Sequence, residues 1–295
     1  MLRPPEYISY RDKTMITIFS CPKAFKGNID IIQRNAIQSW RLLDPSLEII
    51  LFGNEKGTAE IAQTVKARHI PEITSTEYGT PLISDIFEKA QKMAKFEILC
   101  YINSDIIMIP DLLHAIDQIR QNFPFFLIVG RRWDMDINKK INFNSNWDNK
   151  LKECIHQKGK LHPNWGMDYF VFKKGSIDDI PPFAIGRPGW DNWMIFFARN
   201  HHIPVIDATT EVIAIHQNHD YYHVPQGDGQ TYHGPESQQN RILLGSTINC
   251  TTDDANYLFT QTGPRFALKN ELLFNLKKIR NFLKNYQKKF KTHLR

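Results

Sequence analysis

The sequence predicts an α/β fold in which helices flank a mostly parallel β-sheet. Two observations support this prediction. Short apolar runs alternate with segments of helical periodicity through the first half of the chain, and the runs are continuously apolar. Strands that alternate with helices form βαβ units, and continuous apolar runs suit strands buried on both faces. At 295 residues the chain can bury one large core.

The elements of the first half follow from apolar runs and turn signals. Ser20-Cys21-Pro22 and Gly53-Asn54 end the first two strands. Ligands bind at the carboxyl ends of parallel strands, so we expect the residues that follow the strands to share one rim of the sheet. The predicted strands are 15–19 and 48–52, and the predicted helices are 29–43, 58–67 and 83–94, the last of which leads into the apolar run 96–108. The rim segments are 20–23, 53–55 and 103–105, and the segment 103–105 ends the strand in that run.

The second half is less regular. Its polar, Asn-rich segment 131–163 has weak periodicity, and residues 218–252 have the composition of a loop. Between them the pattern of strands and helices returns. We predict helices at 110–122 and 191–200, strands at 125–130, 167–172, 204–208 and 211–215, and a last helix that begins near Ala267.

The positive charge of the chain belongs to its C-terminal segment. The net charge is +6, but residues 267–295 alone carry nine Lys and Arg against one acid, Glu271, which is +8. The preceding part is therefore slightly negative, and this argues against a nucleic-acid partner. Apolar residues recur in the same segment at helical spacing. This predicted helix can lie on an anionic membrane surface or dock its apolar stripe on the domain, and we expect docking with membrane contact.

The four cysteines are far apart and form no CxxC pair, which argues against a disulfide framework or a zinc ribbon. Residues 1–13 contain no apolar run of the length of a signal peptide, and no segment has the roughly 20 apolar residues of a membrane span. We therefore expect a cytoplasmic protein, with association at a membrane surface left open.

Asn103-Ser104-Asp105 ends a hydrophobic strand and is the sharpest chemical feature. A carboxylate there lies where the sheet meets the ligand crevice, and a hard divalent cation can bridge it to a diphosphate. The alternative interpretation is an ordinary strand-ending turn.

At this motif, residues 15–223 resemble the glycosyltransferases of the GT-A fold, whose Rossmann-like half ends a strand in a D-x-D motif. Here the motif is Asn103-x-Asp105, and its first acid is replaced by an amide. The resemblance implies a sugar donor bound as a nucleotide diphosphate (UDP above all), Mn²⁺ or Mg²⁺ as cofactor, and a glycan or lipid-linked acceptor. It also implies a catalytic domain over 1–265, with a nucleotide-binding half (14–130) and an acceptor half (131–265), followed by the basic helix 266–295.

A second feature is Gly189-Trp190-Asp191-Asn192-Trp193, at the start of a predicted helix. A carboxylate there can take the proton from an acceptor hydroxyl. The resemblance gives Asp191 this role of catalytic base in an inverting reaction. The alternative is a helix cap between two core tryptophans. Trp190 and Trp193 can stack on the sugar of the acceptor, or pack in the core.

The third feature is the cluster His216, His219 and His223 after a predicted strand. The spacing invites a zinc site, but it lacks a helical context. The resemblance implies instead one histidine that binds the same cation as Asp105. His216 matches best, His219 is the reserve candidate, and His223 is expected to be structural or to face the acceptor.

The donor site has further candidate residues. Arg131 and Arg132 end a strand and can pair with phosphate or sugar oxygens, or form surface ion pairs. The resemblance implies that Asp168 holds hydroxyls of the donor sugar, although it can simply start a strand, and that Glu55 contacts the base. The residues assigned to the donor are Ser20, Glu55, Asp85, Asn103, Ser104, Asp105, Arg131 and Asp168.

The predicted function is a metal-dependent, inverting glycosyltransferase. A retaining enzyme of the same fold and a sugar nucleotidyltransferase are the enzymatic alternatives. The second of these needs a Gly-rich basic loop after the first strand, where residues 20–27 offer two lysines and one glycine. A noncatalytic protein that binds membranes or nucleic acid through its basic helix is the third alternative.

Overall fold

The computed structural model describes residues 15–219 and 228–293. The α/β fold with a mostly parallel sheet flanked by helices is confirmed. A nine-stranded sheet has the order β13-β12-β10-β6-β9-β4-β1-β2-β3, and a four-stranded sheet has the order β5-β11-β7-β8. The strands are β1 Ile16–Ser20, β2 Glu48–Phe52, β3 Arg68–Ile70, β4 Ile98–Ile102, β5 Ile106–Met108, β6 Leu127–Val129, β7 Arg132–Met135, β8 Lys160–Leu161, β9 Tyr169–Lys173, β10 Val205–Asp207, β11 Ala214–Gln217, β12 Tyr257–Thr260 and β13 Gly263–Phe266.

The helices cover both faces of the large sheet. Trp40 of α1 and Ile116 of α4 belong to the core on one face, and Phe87 of α3 and Met194 of α6 belong to the core on the other. The helices are α1 Gly27–Leu43, α2 Thr58–Thr64, α3 Ile83–Met93, α4 Asp111–Asn122, α5 Trp147–Lys158, α6 Trp190–Asn200, α7 Asp228–His233, α8 Pro235–Leu244 and α9 Leu268–His293.

The parallel strands β1, β2 and β4 end at the same edge of the large sheet. The register pairs Ser20 with Leu51 and Phe19 with Tyr101, so the segments after these strands lie side by side. The apolar run 96–108 forms β4 and β5: β4 ends before 103–105, as predicted, and the turn at 103–105 sends β5 into the second sheet. This division places Asp105 between the two sheets.

The structure goes beyond or departs from the sequence-based expectations in three places. The polar segment 131–163 contains β7, α5 and β8, and the loop-like segment 218–252 contains α7 and α8. These elements bury few apolar side chains: Ile155 is the buried residue of α5, and those of α8 are polar. These elements are therefore stabilised by tertiary contacts and lack the hydrophobic periodicity that would have predicted them. The third place is α9, whose apolar stripe was expected to dock on the domain and remains exposed.

Within the described ranges, no helix combines the length and the apolar character that a membrane crossing requires.

Candidate functional site

Asp105, His216 and His219 form a compact cluster between the two sheets. β11 pairs with β5 so that His216 lies opposite Ile106, the residue after Asp105. Asp105 Oδ2 is 3.2 Å from His219 Nε2 and 3.9 Å from His216 Nε2. One ligand atom of each residue lies within 4.8 Å of the other two. The strand register thus brings together two groups that are more than 100 residues apart in the chain.

The ligand atoms of this cluster suit a divalent cation. Asp105 Oδ1 is buried and has no hydrogen-bond partner among the described residues, which is costly for a carboxylate oxygen unless a further ligand satisfies it. One carboxylate and two imidazoles suit Mn²⁺ and related metals that accept oxygen and nitrogen ligands. Burial raises the pKa of Asp105, but the hydrogen bond from His219 and the positive charges of His216 and Lys23 outweigh it. The pKa is therefore below its ordinary value, and the carboxylate is ionised and ready to bind a cation.

Asp134 lies next to the ring nitrogen of His216 that does not face Asp105. β7 runs parallel to β11, and its Asp134 lies opposite His216, with Oδ1 3.3 Å from His216 Nδ1. The other oxygen of Asp134 is 2.6 Å from His162 Nδ1. A carboxylate on Nδ1 leaves Nε2 as the atom that faces Asp105, which is the arrangement of many metal-binding histidines. Burial raises the pKa of Asp134, but the nearby His216, the hydrogen bond with His162 and the charge of Arg132 outweigh it, so the pKa lies below its ordinary value.

Asp168 connects the motif Asn103-x-Asp105 to the second half of the chain. Its Oδ1 accepts a hydrogen bond from Asn103 Nδ2 at 2.5 Å, and its Oδ2 pairs with the guanidinium of Arg132 at 2.9 Å. The amide oxygen of Asn103 accepts from the Tyr101 hydroxyl at 2.8 Å. Asn103 thus positions Asp168, and its amide oxygen is already engaged within the protein.

The loop after β1 contributes a positive charge to the same rim. Lys23 lies within electrostatic range of Asp105, Asp168 and Arg187. Its backbone is held by Gln33 of α1, which accepts from the Lys23 N–H at 2.7 Å and also from the Ser104 hydroxyl at 2.9 Å. A lysine at this rim can pair with a phosphate group.

Asp191 is the second residue of α6, and its environment favours the neutral form. Burial and the nearby charge of Asp168 raise its pKa to about 6, although backbone hydrogen bonds at the start of the helix oppose the shift. The turn before the helix requires glycine: Gly189 has φ 113°, and a Cβ on it would lie 2.5 Å from Leu244 Cδ1. A carboxyl group with this pKa is a stronger base than an ordinary aspartate and is still mostly ionised at neutral pH.

The two tryptophans beside Asp191 are buried. The Trp190 ring packs against Phe87, Tyr101 and Phe170, with centroid distances of 5.1–6.3 Å. The Trp193 ring packs against Phe183 and Phe197. Their exposed fractions are 5% and 8%, so core packing is the larger part of their role.

Four donor-site predictions lie outside the cluster of acids and histidines. The Ser20 hydroxyl is buried and donates to the carbonyl of Ile102 at 2.6 Å. Glu55 is exposed in the loop after β2. The Asp85 carboxylate contacts the Thr74 N–H and Lys89.

The fourth of these residues is Arg131. It donates from Nε to the carbonyl of His162, and its neighbour Arg132 makes the ion pair with Asp168. His223 lies outside the described residues.

Asp134 and His162 are not predicted from the sequence, and Lys23 is predicted only as part of the loop after the first strand. Asp134 and His162 belong to the segment 131–163, where periodicity was weak. The signal that could have found Asp134 is its place two residues after Arg132, because alternate residues of a strand share a face. Nothing local marks His162, since it joins the site through the pairing of β7 with β8.

The chain is similar to known proteins in structure but not in sequence. No protein-family profile and no curated protein matches the chain. S. aureus TarS 1–349 in complex with UDP-GlcNAc has a TM-score of 0.48 and 9% identity over 71% of this chain and 60% of that chain. Glucosyl-3-phosphoglycerate synthase from Mycobacterium tuberculosis, in complex with Mn²⁺, UDP and glucosyl-3-phosphoglycerate, has a TM-score of 0.45 and 15% identity over 79% of each chain.

The chain thus spans 60% of the length of the TarS structures that it matches. With TM-scores below 0.5, these likenesses assign neither a family nor a substrate, and the function has to be inferred from the site.

Proposed function

We propose that the chain is a metal-dependent glycosyltransferase that transfers a sugar from a nucleotide diphosphate, with UDP as the first nucleotide to test. The observation that carries the proposal is the Asp105–His216–His219 cluster, in which one buried carboxylate oxygen has no partner among the described residues. Residues 14–130 supply Lys23, Asn103 and Asp105, and residues 131–265 supply Arg132, Asp168, Asp191 and His216. We assign them to the nucleotide and the acceptor half of one catalytic domain.

Asp105, His216 and His219 would hold Mn²⁺ or Mg²⁺. When bound, this cation supplies the positive charge that stabilises the departing diphosphate. Lys23 adds a second positive charge at the same rim. Asp134 keeps the ring of His216 in the orientation that exposes Nε2.

Asp168 would hold hydroxyl groups of the donor sugar. A carboxylate has about four lone-pair sites, and the contacts with Asn103 and Arg132 use two of them. The ion pair with Arg132 also keeps Asp168 in place. Asp168 is therefore fixed before the donor binds, which lowers the entropic cost of orienting the sugar.

Asp191 would accept the proton of the acceptor hydroxyl. As this proton leaves, the oxygen forms a bond to the anomeric carbon, and the bond from that carbon to the diphosphate oxygen breaks with its electron pair. Attack from the face opposite the leaving group inverts the anomeric configuration. With a pKa of about 6, roughly nine tenths of Asp191 is ionised at pH 7 and able to act as the base.

The first test is ligand-dependent thermal stability. UDP and Mn²⁺ together should raise the melting temperature more than either ligand alone, because the cation and the diphosphate share a site. The Asp105→Asn variant should lose this joint effect, and Asp178→Asn, at an exposed loop acid, should keep it. Equal shifts in the two variants would reject the metal assignment.

The second test is the reaction itself. The chain is incubated with Mn²⁺, a panel of UDP- and GDP-sugars and simple glycan acceptors, and the anomeric configuration of the product is read by NMR. An inverted product supports the role of Asp191. A product that keeps the anomeric configuration of the donor would assign the chain to the retaining class. Formation of a sugar nucleotide from a sugar phosphate and a nucleoside triphosphate would assign it to the nucleotidyltransferases.

A further inference from the structure

The C-terminal helix α9 contacts the domain through its polar side. Glu271 forms an ion pair with Arg199 at 2.6 Å, and Lys277 forms one with Asp254 at 2.7 Å. Asn270 and Asn281 donate to the carbonyl groups of Ala255 and Ser246. The apolar contribution to docking comes from Phe274, which is 2% exposed and lies 4.3 Å from the guanidinium of Arg199.

The apolar stripe of α9 points away from the domain. At about 100° per residue, the residues that contact the domain lie on one side of the helix and the apolar stripe lies on the other. We call this stripe the outer face of α9. Two of its members, Phe282 and Tyr286, are 69% and 63% exposed. The outer face consists of Leu268, Leu272, Leu276, Ile279, Phe282, Leu283 and Tyr286.

This orientation is unusual for a helix of a water-soluble domain, which buries its apolar side. Seven neighbouring apolar side chains on one helix face form a patch that marks a docking surface. The sequence prediction that the stripe docks on the domain is therefore wrong, because Phe274, Glu271 and Lys277 on the opposite side make the docking contacts.

Charge decides what covers the outer face. The exposed side chains of Lys269, Arg280 and Lys284 lie along one border of this face, and Lys278 lies near the other. The single acid of the segment, Glu271, is already paired with Arg199. We infer that the outer face of α9 binds the surface of a bilayer that contains anionic lipids, with its apolar side chains in the acyl boundary and its lysines and arginines at the headgroups.

A second copy of the chain is the competing occupant. Leu272, Leu276, Ile279, Leu283 and Tyr286 are spaced by four and three residues, as along the seam of a coiled coil. Stable self-pairing also needs acids opposite the basic residues that border the seam. The positions that flank this seam hold Leu273, Asn275, Arg280, Phe282 and Gln287. A second copy would therefore offer no acid at these positions to pair with Arg280 and the nearby lysines. An anionic surface neutralises the same charges.

The experiment measures binding to vesicles rather than activity, so its outcome is independent of the proposed reaction. The full chain is sedimented with vesicles of phosphatidylcholine alone and of an equimolar mixture with phosphatidylglycerol. The outer-face variant Ile279→Gln/Phe282→Gln/Leu283→Gln tests the apolar contact, and Arg280→Glu/Lys284→Glu tests the charge. Ile242→Gln replaces an apolar residue of α8 that is 70% exposed and serves as the matched control.

We expect the wild type and Ile242→Gln to bind the anionic vesicles and to bind phosphatidylcholine far more weakly. The outer-face variant should lose on the order of 100-fold in vesicle affinity, and the charge variant about tenfold or more. Unchanged thermal melting would show that both variants fold. Equal vesicle binding by wild type and outer-face variant would overturn the inference. So would light scattering that shows a wild-type dimer and a monomeric outer-face variant, because the second copy would then cover this face.

Discussion

Replacing Asp191 by asparagine should stabilise the protein and greatly reduce its turnover. The pKa of Asp191 is raised from 3.8 to about 6, chiefly by burial. The ionised form is therefore less stable in the folded chain than in the unfolded one. Asparagine keeps an oxygen that can accept the hydrogen bond from the Asn192 N–H, which the carboxylate now accepts, but it carries no charge to desolvate.

The magnitude follows from the shift of the pKa. A rise of about two units corresponds to roughly 3 kcal/mol of destabilisation once Asp191 is ionised in both the folded and the unfolded state. Well below pH 4 the carboxyl is protonated in both states, and the variant should gain nothing. The gain in the free energy of unfolding should appear between about pH 4 and 6, as the unfolded chain ionises first, and then stay constant up to pH 8.

Urea unfolding of wild type and Asp191→Asn between pH 4 and 8 measures this profile. Asp178→Asn, at an exposed carboxylate, is the control and should change stability by less than about 0.5 kcal/mol at every pH. Turnover of Asp191→Asn should fall by about 10²–10⁴-fold, the usual contribution of a general base, while binding of UDP stays the same.

Two results would refute this reasoning. A stability difference that does not depend on pH would show that the Asp191 carboxylate is not desolvated. A variant that keeps near-normal turnover would show that another group accepts the proton of the acceptor.

Four further predictions concern the cation site, the pH dependence and two structural features. His216→Ala and His219→Ala should each remove most of the joint stabilisation by Mn²⁺ and UDP in thermal melting, and a variant that retains all of it would not have lost a ligand. Asp134→Asn should weaken Mn²⁺ binding by about 10–100-fold, and saturating Mn²⁺ should restore turnover, whereas an Asp134 in contact with substrate would leave the defect at all Mn²⁺ concentrations. The kcat/KM of the wild type should fall about tenfold per unit as the pH falls below about 6, because Asp191 becomes protonated, and a profile that is flat down to pH 5 would contradict this. Gly189→Ala should lower the free energy of unfolding in urea by about 1–3 kcal/mol more than Gly175→Ala does. Both glycines have a positive φ, but a Cβ at Gly175 meets no atom within 4 Å, whereas one at Gly189 meets Leu244. Equal losses in the two variants would show that Leu244 moves aside without cost.

The prediction of the cluster from sequence depended on where each residue lies relative to a strand. Asp105 directly follows a long apolar run, and the end of a buried strand can be identified from the sequence. His216 was placed just after a strand, whereas it lies inside β11, opposite Ile106 of β5. The predicted neighbourhood of the two residues therefore matches the structure, although the predicted strand end is offset by two residues. Mn²⁺ binding and the roles of Asp191 and Asp168 stay predictions until they are measured.

The sequence by itself determined the α/β class, the strands β1, β2 and β4, and the acid at the rim of the sheet. These depend on local composition: apolar runs form buried strands, and polar residues must follow where such a strand reaches solvent. Only the tertiary structure decided that β5 leaves the large sheet, that Asp134 lies behind His216, and that α9 presents its apolar side outward. Each of these depends on pairing between segments that are distant in the chain, and the apolar pattern of a single segment does not specify its partner.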